Sequence, residues 1–323
     1  MKLVVTGVAG FIGSHLAERA LAEGHDVTGI DGFIDYYPRS IKERNLTVCR
    51  SHSRFRFVEG NILDLDLDSV CDGAAVVYHL AAQAGVRASW GKQFRIYTDC
   101  NVLGTQRVLE AARNRTVSRV VYASSSSVYG DAVDLPMKET AYPRPVSPYG
   151  VTKLAGENLC VLYTSNYGLP TVSLRYFTVY GPRQRPDMAF HLFIRAALRG
   201  ESPEIFGSGE QTRDFTFVDD AVDVTFRAGL IDGISGEVFN VGGGNRCSIN
   251  TIFEKLESVM GVSINPHRKG VQKGDVRHTA ADTSRAARLL NFIPRVTLDE
   301  GLSREVEWVK ELYERHAGGE NGR

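Results

Sequence analysis

The chain has 323 residues, of which 43% are hydrophobic and 24% charged, and its 38 basic residues balance its 38 acidic ones. This length provides one large core or two unequal domains, and the hydrophobic content excludes an intrinsically disordered protein. A net charge of zero gives no broad electrostatic attraction to nucleic acid or to an anionic membrane, so we expect neither as a partner.

The five cysteines are scattered, and none lies in a CxxC pair. This pattern favours a reducing, cytoplasmic environment without a disulfide framework, and we predict no metal site. The apolar residues after Lys2 would suit a signal peptide, but Gly7, Gly10 and Gly13 make a poor helix there. No apolar run reaches the length of a membrane helix.

The first half of the chain alternates between short apolar runs and segments with helical periodicity. The predicted strands are Lys2–Thr6, Asp26–Asp31, Phe55–Glu59, Ala75–Ala81, Arg119–Ser124 and Thr171–Phe177. The predicted helices are Ser14–Glu23, Phe94–Arg113 and a segment from Pro148 to Gly168. This alternation predicts an α/β fold with a Rossmann-type, doubly wound parallel sheet.

After Gly181 the pattern changes, and short strands are spread among longer helices. The predicted helices are Asp187–Arg199, Ile249–Met260 and Leu298–His316, and the predicted strands are Glu204–Phe206, Asp214–Phe217 and Val238–Val241. We expect residues 1–180 to form the Rossmann domain and residues 181–323 a smaller C-terminal α/β substrate domain. One strand near residues 237–242 is expected to return to the main sheet, and residues 318–323 to fray.

A glycine-rich loop connects the first predicted strand to the first predicted helix. Its sequence, Gly7-Val8-Ala9-Gly10-Phe11-Ile12-Gly13, has the spacing GxxGxxG rather than the commoner GxGxxG. Glycines at such a junction allow a tight turn and a close approach of the backbone to a pyrophosphate, which the helix N-terminus attracts. The loop therefore predicts a dinucleotide site and makes residues 1–180 an NAD-binding domain.

Asp31 ends the second strand, eighteen residues after Gly13, close to the offset expected of a ribose-binding carboxylate. A carboxylate there accepts hydrogen bonds from ribose hydroxyls and repels a 2′-phosphate, so it favours NAD over NADP. Arg39, Lys42 and Arg44 follow soon after and leave NADP open as the minority interpretation.

Tyr149 and Lys153 are four residues apart and share one helix face. A nearby ammonium stabilises a phenolate, so the pair is typical of a tyrosine that acts as an acid or base. Ser124 to Ser127 end the fifth strand, where doubly wound folds place their ligands. A hydroxyl there can bridge the tyrosine and a substrate oxygen.

Taken together, these motifs resemble those of the extended short-chain dehydrogenase/reductase family, specifically its nucleotide-sugar epimerases and dehydratases. Besides the glycine loop, the resemblance rests on His79-Leu80-Ala81-Ala82, Tyr122-Ala123-Ser124-Ser125, Ser147-Pro148-Tyr149-Gly150-Val151-Thr152-Lys153, Arg175-Tyr176-Phe177 and Arg213-Asp214-Phe215. It covers nearly the whole chain.

The resemblance implies roles for individual residues. Tyr149 would be the acid/base, Lys153 would hold the nicotinamide ribose, and Ser125 would contact the sugar 4-hydroxyl. The implied NAD-binding residues are Gly7, Gly10, Phe11, Ile12, Gly13, Asp31, Asn61, Ile62, Ala81, Ala82, Gln83, Asn101, Tyr149, Lys153 and Tyr176. The implied sites for the UDP part of the substrate are Arg213 and Asp275, with Phe206 as the stacking partner near uracil.

The resemblance implies one first step for the whole group, oxidation of the sugar at C4 to a ketone. Dehydratases and decarboxylases of the family carry an acidic residue just after the catalytic hydroxyl, but this chain has Ser126 and Ser127 there. The serines would contact the sugar instead, and their presence favours an epimerase, which only turns the keto sugar over and reduces its other face.

For the sugar, Tyr36-Tyr37, the run from Tyr122 to Gly130 and the segment 181–189 look like those of UDP-glucuronate 4-epimerases. Arg185 in that segment can hold a sugar carboxylate with two hydrogen bonds, and the Thr178 hydroxyl can take the other oxygen. A pinned carboxylate would keep the β-keto acid from losing CO2.

We therefore expect NAD-dependent 4-epimerisation of a UDP-sugar, UDP-glucuronate to UDP-galacturonate. The alternatives are a UDP-glucose or UDP-N-acetylglucosamine 4-epimerase and, less favoured, a UDP-glucuronate decarboxylase or a dTDP-sugar 4,6-dehydratase. A catalytically silent nucleotide sensor on this fold is a further alternative, which the intact Tyr149, Lys153 and Ser125 disfavour. The resemblance also implies a homodimer through the helices Phe94–Arg113 and Pro148–Tyr167.

Overall fold

The fold was analysed in a computed structural model, which describes residues 1–131 and 134–317. The predicted fraying of residues 318–323 falls outside the described part of the chain. None of the helices in the described ranges combines the length and the hydropathy that a membrane-crossing segment needs.

The first part of the chain follows the predicted alternation. Its strands are β1 (Lys2–Thr6), β2 (Asp26–Asp31), β3 (Phe55–Glu59), β4 (Val76–His79), β5 (Arg119–Ser125) and β6 (Thr171–Tyr176). Its helices are α1 (Phe11–Ala22), α2 (Arg39–Asn45), α3 (Thr47–Arg50), α4 (Leu67–Cys71), α5 (Phe94–Tyr97), α6 (Gly104–Asn114) and α7 (Pro148–Tyr167).

The second part begins with β7 (Thr178–Tyr180) and mixes short strands with helices. Its other strands are β8 (Glu204–Phe206), β9 (Thr212–Phe217), β10 (Glu237–Val241), β11 (Asn245–Ser248) and β12 (His267–Lys269). Its helices are α8 (Ala189–Leu198), α9 (Val218–Ala228), α10 (Ile249–Met260), α11 (Ser284–Leu290) and α12 (Leu298–Ala317). Helix α9, which the sequence analysis missed, begins directly after β9 with two aspartates in its first turn.

The central sheet has seven parallel strands in the order β10-β6-β5-β4-β1-β2-β3. This is a doubly wound Rossmann sheet, and the predicted fold class is confirmed. Strand β10 pairs with β6 although it lies in the second part of the chain, with Phe239 opposite Leu174. Smaller sheets, β11-β9-β7 and β12-β8, stand beside it.

Two apolar cores cover the faces of the central sheet. One contains Leu3, Leu16, Tyr78, Phe226 and Phe239 and joins the sheet to α1 and α9. The other contains Val77, Leu109, Tyr122 and Tyr163, which join it to α6 and α7. The strands of such a sheet are buried on both faces, which explains why they are continuous apolar runs in the sequence.

Three helix predictions differ from the structure, and one of them, Asp187–Arg199, is shortened to Ala189–Leu198 so that Asp187 lies in the preceding loop. Helix α1 begins at Phe11 rather than Ser14, because Gly10 takes the capping position and the Ser14 hydroxyl donates to the carbonyl of Phe11. The predicted helix Phe94–Arg113 is divided by a π-helical stretch, Thr98–Leu103. π-helical bulges are frequent at functional sites, and this one contains the buried Asn101.

Candidate active site

A long cleft opens at the carboxyl ends of the central strands. In a doubly wound sheet this is where connections to opposite faces diverge and leave a crevice, here between β1 and β4. Most residues predicted to bind the cofactor line it: Gly7, Gly10, Phe11, Ile12, Gly13, Asp31, Asn61, Ile62, Ala81, Ala82, Gln83, Tyr149, Lys153 and Tyr176. Arg185 lines the same cleft.

The glycine loop is packed too closely for side chains. Gly7 has a φ of +70°, and a Cβ on it would lie 2.8 Å from the backbone nitrogen of Ala81. A Cβ on Gly13 would lie 2.2 Å from the carbonyl oxygen of Gly7. The loop thus brings bare backbone to the N-terminus of α1, whose first turn contains no acidic residue. This arrangement suits a bound pyrophosphate.

Asp31 stands at the end of β2 and also stabilises the loop. Its two carboxylate oxygens accept hydrogen bonds from the backbone N–H groups of Ala9, at 3.0 Å, and Phe33, at 2.9 Å. Burial raises the pKa of Asp31, and these two hydrogen bonds oppose the rise. Each oxygen retains a second lone pair for a ribose hydroxyl. Arg39, considered above for a 2′-phosphate, is paired with Glu59 at 2.8 Å.

Tyr149 and Lys153 project from the first turns of α7, which Ser147 caps through a hydrogen bond from the N–H of Gly150. Both line the cleft, and the Lys153 ammonium lies 6.0 Å from the centre of the Tyr149 ring. Lys153 also donates to the carbonyl of Ala123, at 2.7 Å. That bond fixes the ammonium at the end of β5, beside Ser125.

The protonation of this pair differs from the simple expectation. Burial raises the pKa of Tyr149, while a hydrogen bond with Ser125 and the charge of Arg185 act in the opposite direction. Burial lowers the pKa of Lys153 to about 8, and the charge of Glu157 opposes this. Desolvation therefore outweighs the combined effect of Ser125 and Arg185, and the pKa of Tyr149 lies above its ordinary value.

A buried ion pair that the sequence analysis did not assign lies behind Lys153. Arg175 on β6 makes two hydrogen bonds to Glu157, of 2.9 and 2.8 Å, and the Ser124 hydroxyl donates to the same carboxylate. The side chains of Arg175 and Glu157 are 5% and 4% exposed. The spacing Tyr149, Lys153, Glu157, four residues at each step, was an available signal for it.

Arg185 is held by two residues whose roles the sequence analysis also did not assign. Its Nε and Nη2 donate to Asp187, at 2.9 and 3.0 Å, and the Tyr36 hydroxyl donates to the same carboxylate, at 3.0 Å. The motif around Arg185 and the tyrosine pair after Asp35, both noticed in the sequence, therefore meet at one point of the cleft wall. Their separation in sequence concealed this contact.

Five further predicted residues are not among those that line the cleft: Asn101, Ser125, Ser126, Ser127 and Thr178. Asn101 is buried and bonds the backbone of Gln83 through both its amide atoms, at 2.8 and 3.0 Å, so it supports the wall from behind. Ser125 accepts from the N–H of Ser127 and donates to its hydroxyl, both at 3.1 Å. Ser126 begins the turn after β5, and Thr178 begins β7.

The residues predicted to hold the nucleotide end of the substrate form a second group. Asp275 lies close enough to Arg213 to affect its pKa, and it accepts a hydrogen bond of 2.8 Å from Arg87. The guanidinium of Arg87 also lies 4.1 Å from the centre of the Phe206 ring. Arg87 was not predicted from the sequence, and its guanidinium lies over one face of the ring expected to stack on uracil.

The geometry matches a dinucleotide at one end of the cleft and an oxidisable hydroxyl at the other. The bare backbone around Gly7 and Gly13 leaves room for phosphates, and Asp31 leaves room for a ribose. At the opposite end Tyr149, Lys153 and Ser125 are positioned to exchange a proton with a substrate oxygen. Arg185 adds a positive charge beside them.

Comparison with known proteins agrees with this arrangement. Residues 3–242 match the model of the NAD dependent epimerase/dehydratase family. The UDP-glucuronate 4-epimerase of Thermodesulfobacterium geofontis is 39% identical over 96% of this chain and 97% of that protein. The uncharacterized UDP-glucose epimerase YtcB of Bacillus subtilis is 44% identical over 97% of this chain and 99% of that protein.

Among solved structures, the chain is similar to the UDP-glucuronic acid 4-epimerase of Bacillus cereus in complex with UDP-glucuronic acid and NAD. The TM-score is 0.95 at 45% identity, and the match covers 97% of this chain and all of that one.

Proposed function

The chain belongs to the NAD dependent epimerase/dehydratase family, and we propose that it interconverts UDP-glucuronate and UDP-galacturonate by inverting C4 of the sugar. Arg185 carries the choice of sugar, because it places a guanidinium in the cleft beside Tyr149. A uronate differs from a neutral hexose only in its carboxylate, and a guanidinium is the side chain best suited to binding one.

NAD, when bound in the cleft, would serve as the reversible oxidant of C4. Its phosphates would lie at Gly7, Gly10 and Gly13, and its riboses at Asp31 and Lys153. A cationic Lys153 would fix the nearer ribose and favour the phenolate of Tyr149. The carboxylate of Glu157 supports this role because it raises the pKa of Lys153.

Tyr149 would act as the base and then as the acid. Its oxygen would take the proton of the 4-hydroxyl as C4 becomes a ketone, and would return it when the opposite face of C4 is reduced. Ser125, which acts to lower the pKa of Tyr149, would hold the 4-oxygen between the two steps. Ser126 and Ser127 would offer hydroxyls to the sugar as it rotates. Neither has a carboxyl group that could catalyse the elimination of water.

Arg185 and Thr178 would protect the intermediate from decarboxylation. A 4-keto uronate loses CO2 when its C5–carboxyl bond stands perpendicular to the ketone plane. A carboxylate held by a guanidinium and a threonine hydroxyl does not reach that alignment freely. This selects the epimerase over a decarboxylase.

A UDP-glucose 4-epimerase is the second candidate, because the Bacillus subtilis relative carries that name and because Arg185 already has an ion-pair partner in Asp187. The test is incubation of the purified protein with UDP-glucuronate, with the sugars identified by chromatography. UDP-galacturonate without added reductant supports the proposal. UDP-xylose as the main product, or conversion of UDP-glucose alone, refutes it, and Tyr149→Phe serves as the inactive control.

The nucleotide end of the substrate would bind at Phe206, Arg213 and Asp275. The proposed dimer would pair α5–α6 and α7 of two copies, since Leu103, between α5 and α6, and Val161 and Leu162, on α7, are exposed apolar residues. Light scattering of the wild type and of Leu162→Glu tests the dimer, and we expect the variant to be monomeric.

A cytoplasmic location would suit the five free cysteines.

A further inference from the structure

The arrangement of Arg185, Asp187 and Tyr36 points beyond the presence of a positive charge in the cleft. Asp187 bonds only one edge of the guanidinium, through Nε and one hydrogen of Nη2. Guanidinium is planar and has five N–H groups, so the adjoining edge, formed by Nη1 and Nη2, keeps the geometry that fits a second carboxylate.

Tyr36 contacts both members of this pair. Its hydroxyl donates to Asp187, and the guanidinium of Arg185 lies 5.7 Å from the centre of its ring. The ring is itself wedged in place, because a Cβ on Gly85, which has a φ of +102°, would lie 2.4 Å from the Tyr36 hydroxyl oxygen. The tyrosine comes from the loop after β2 and the ion pair from the loop after β7, so two distant loops fix one guanidinium.

We propose that Asp187 and Tyr36 are positioning residues, which hold Arg185 so that its remaining edge receives the carboxylate of a uronate. This inference rests on the proposed function. Asp187 does not cancel the attraction, because the guanidinium lies between the two carboxylates and Coulomb energy falls with distance. Discrimination between sugars depends on the direction of the guanidinium as well as on its charge.

The experiment measures binding rather than turnover. Dissociation constants of UDP-glucuronate and UDP-glucose are determined by calorimetry on the NAD-saturated protein, in a Tyr149→Phe background that prevents conversion. The readout is the ratio of the two constants, which a general loss of folding or of nucleotide binding does not move. Asp187→Asn keeps the size of the side chain, and Tyr36→Phe removes only the hydroxyl.

We expect Asp187→Asn to reduce the preference for the uronate about tenfold and Tyr36→Phe about threefold, because Asp187 holds the guanidinium directly through two charge-assisted hydrogen bonds whereas the Tyr36 hydroxyl acts on it through Asp187 by one. In an Arg185→Met background, Asp187→Asn should leave the ratio unchanged, because there is no guanidinium left to orient. The matched control is Asp219→Asn, which breaks the exposed pair with Arg304 and should also leave the ratio unchanged.

Two results overturn the inference separately. If the parent prefers UDP-glucuronate and Asp187→Asn leaves or increases that preference, Asp187 does not position Arg185, although the proposed function stands. If the parent does not distinguish the two sugars, the uronate assignment fails, and this inference fails with it.

Discussion

The buried pair of Glu157 and Arg175 provides the sharpest prediction about the stability of the site. Glu157→Gln keeps the shape of the side chain and an acceptor for Ser124, but it leaves the guanidinium of Arg175 without a counter-charge. Arg175→Met removes the hydrogen-bonded counter-charge of the carboxylate, which then keeps only the more distant charge of Lys153. Both charges are almost completely buried, so either variant strands a charge in a region that water hardly reaches.

The magnitude follows from that burial. Breaking a buried ion pair by removing one partner costs about 3–5 kcal/mol, a large share of the roughly 5–15 kcal/mol that a folded protein has in total. At about 2 °C per kcal/mol for a chain of this size, each single variant should lose roughly 6–10 °C in Tm. The double variant removes both charges together and should cost only about 1–2 kcal/mol.

Urea denaturation followed by fluorescence measures these differences, with the NAD concentration held constant because bound cofactor stabilises the native state. The m-value must stay unchanged if the midpoints are to be compared as free energies. The reasoning is refuted if either single variant costs less than about 1 kcal/mol, or if the two losses simply add in the double variant.

Further predictions concern the cleft. The kcat/KM of the NAD-loaded protein should fall as pH rises through the pKa of Lys153, about 8, because a neutral amine no longer supports the phenolate. Glu157→Gln should move this fall to lower pH, since the carboxylate raises the pKa of Lys153. A pH–rate profile measures the shift, and a shift to higher pH contradicts the prediction. Asp31→Asn should weaken NAD binding about tenfold and reduce the preference for NAD over NADP. Titration with each cofactor measures the two dissociation constants. Arg185→Met should increase the fraction of decarboxylated pentose product, and an unchanged product ratio would disprove the pinning argument. Arg87→Ala should bind uridine several-fold tighter, because removal of the guanidinium uncovers the Phe206 ring. Weaker binding would mean that Arg87 has a different role.

The parts of the fold that were predicted from sequence depend on local patterns. Strands buried on both faces produce continuous apolar runs, and a helix that begins at Ser147-Pro148 carries its own capping signals. The glycine loop was recognisable because backbone packed as closely as at Gly7 excludes side chains. These features depend on neighbours in the chain.

Contacts between distant segments could not be predicted in the same way. Tyr36 and Asp187 belong to different loops, and only the folded chain brings them to Arg185. Glu305, on the last helix, accepts a hydrogen bond of 2.8 Å from the N–H of Gly181, at the start of the loop that carries Arg185. No periodicity relates such residues. The motif pattern indicated which side chains matter, while their mutual geometry required the structure.

The place of β10 in the central sheet has a consequence for biosynthesis. Strand β6 leaves the ribosome first, and its outer edge is completed only by β10, after residues 177–236 have been made. At about 5–20 residues per second, this edge waits roughly 3–12 s for its partner. An unpaired, apolar strand edge is a template for aggregation during that interval. The nascent chain is therefore exposed to aggregation, and dependent on protection by chaperones, after the helix of Tyr149 and β6 have been synthesised and before β10 has been.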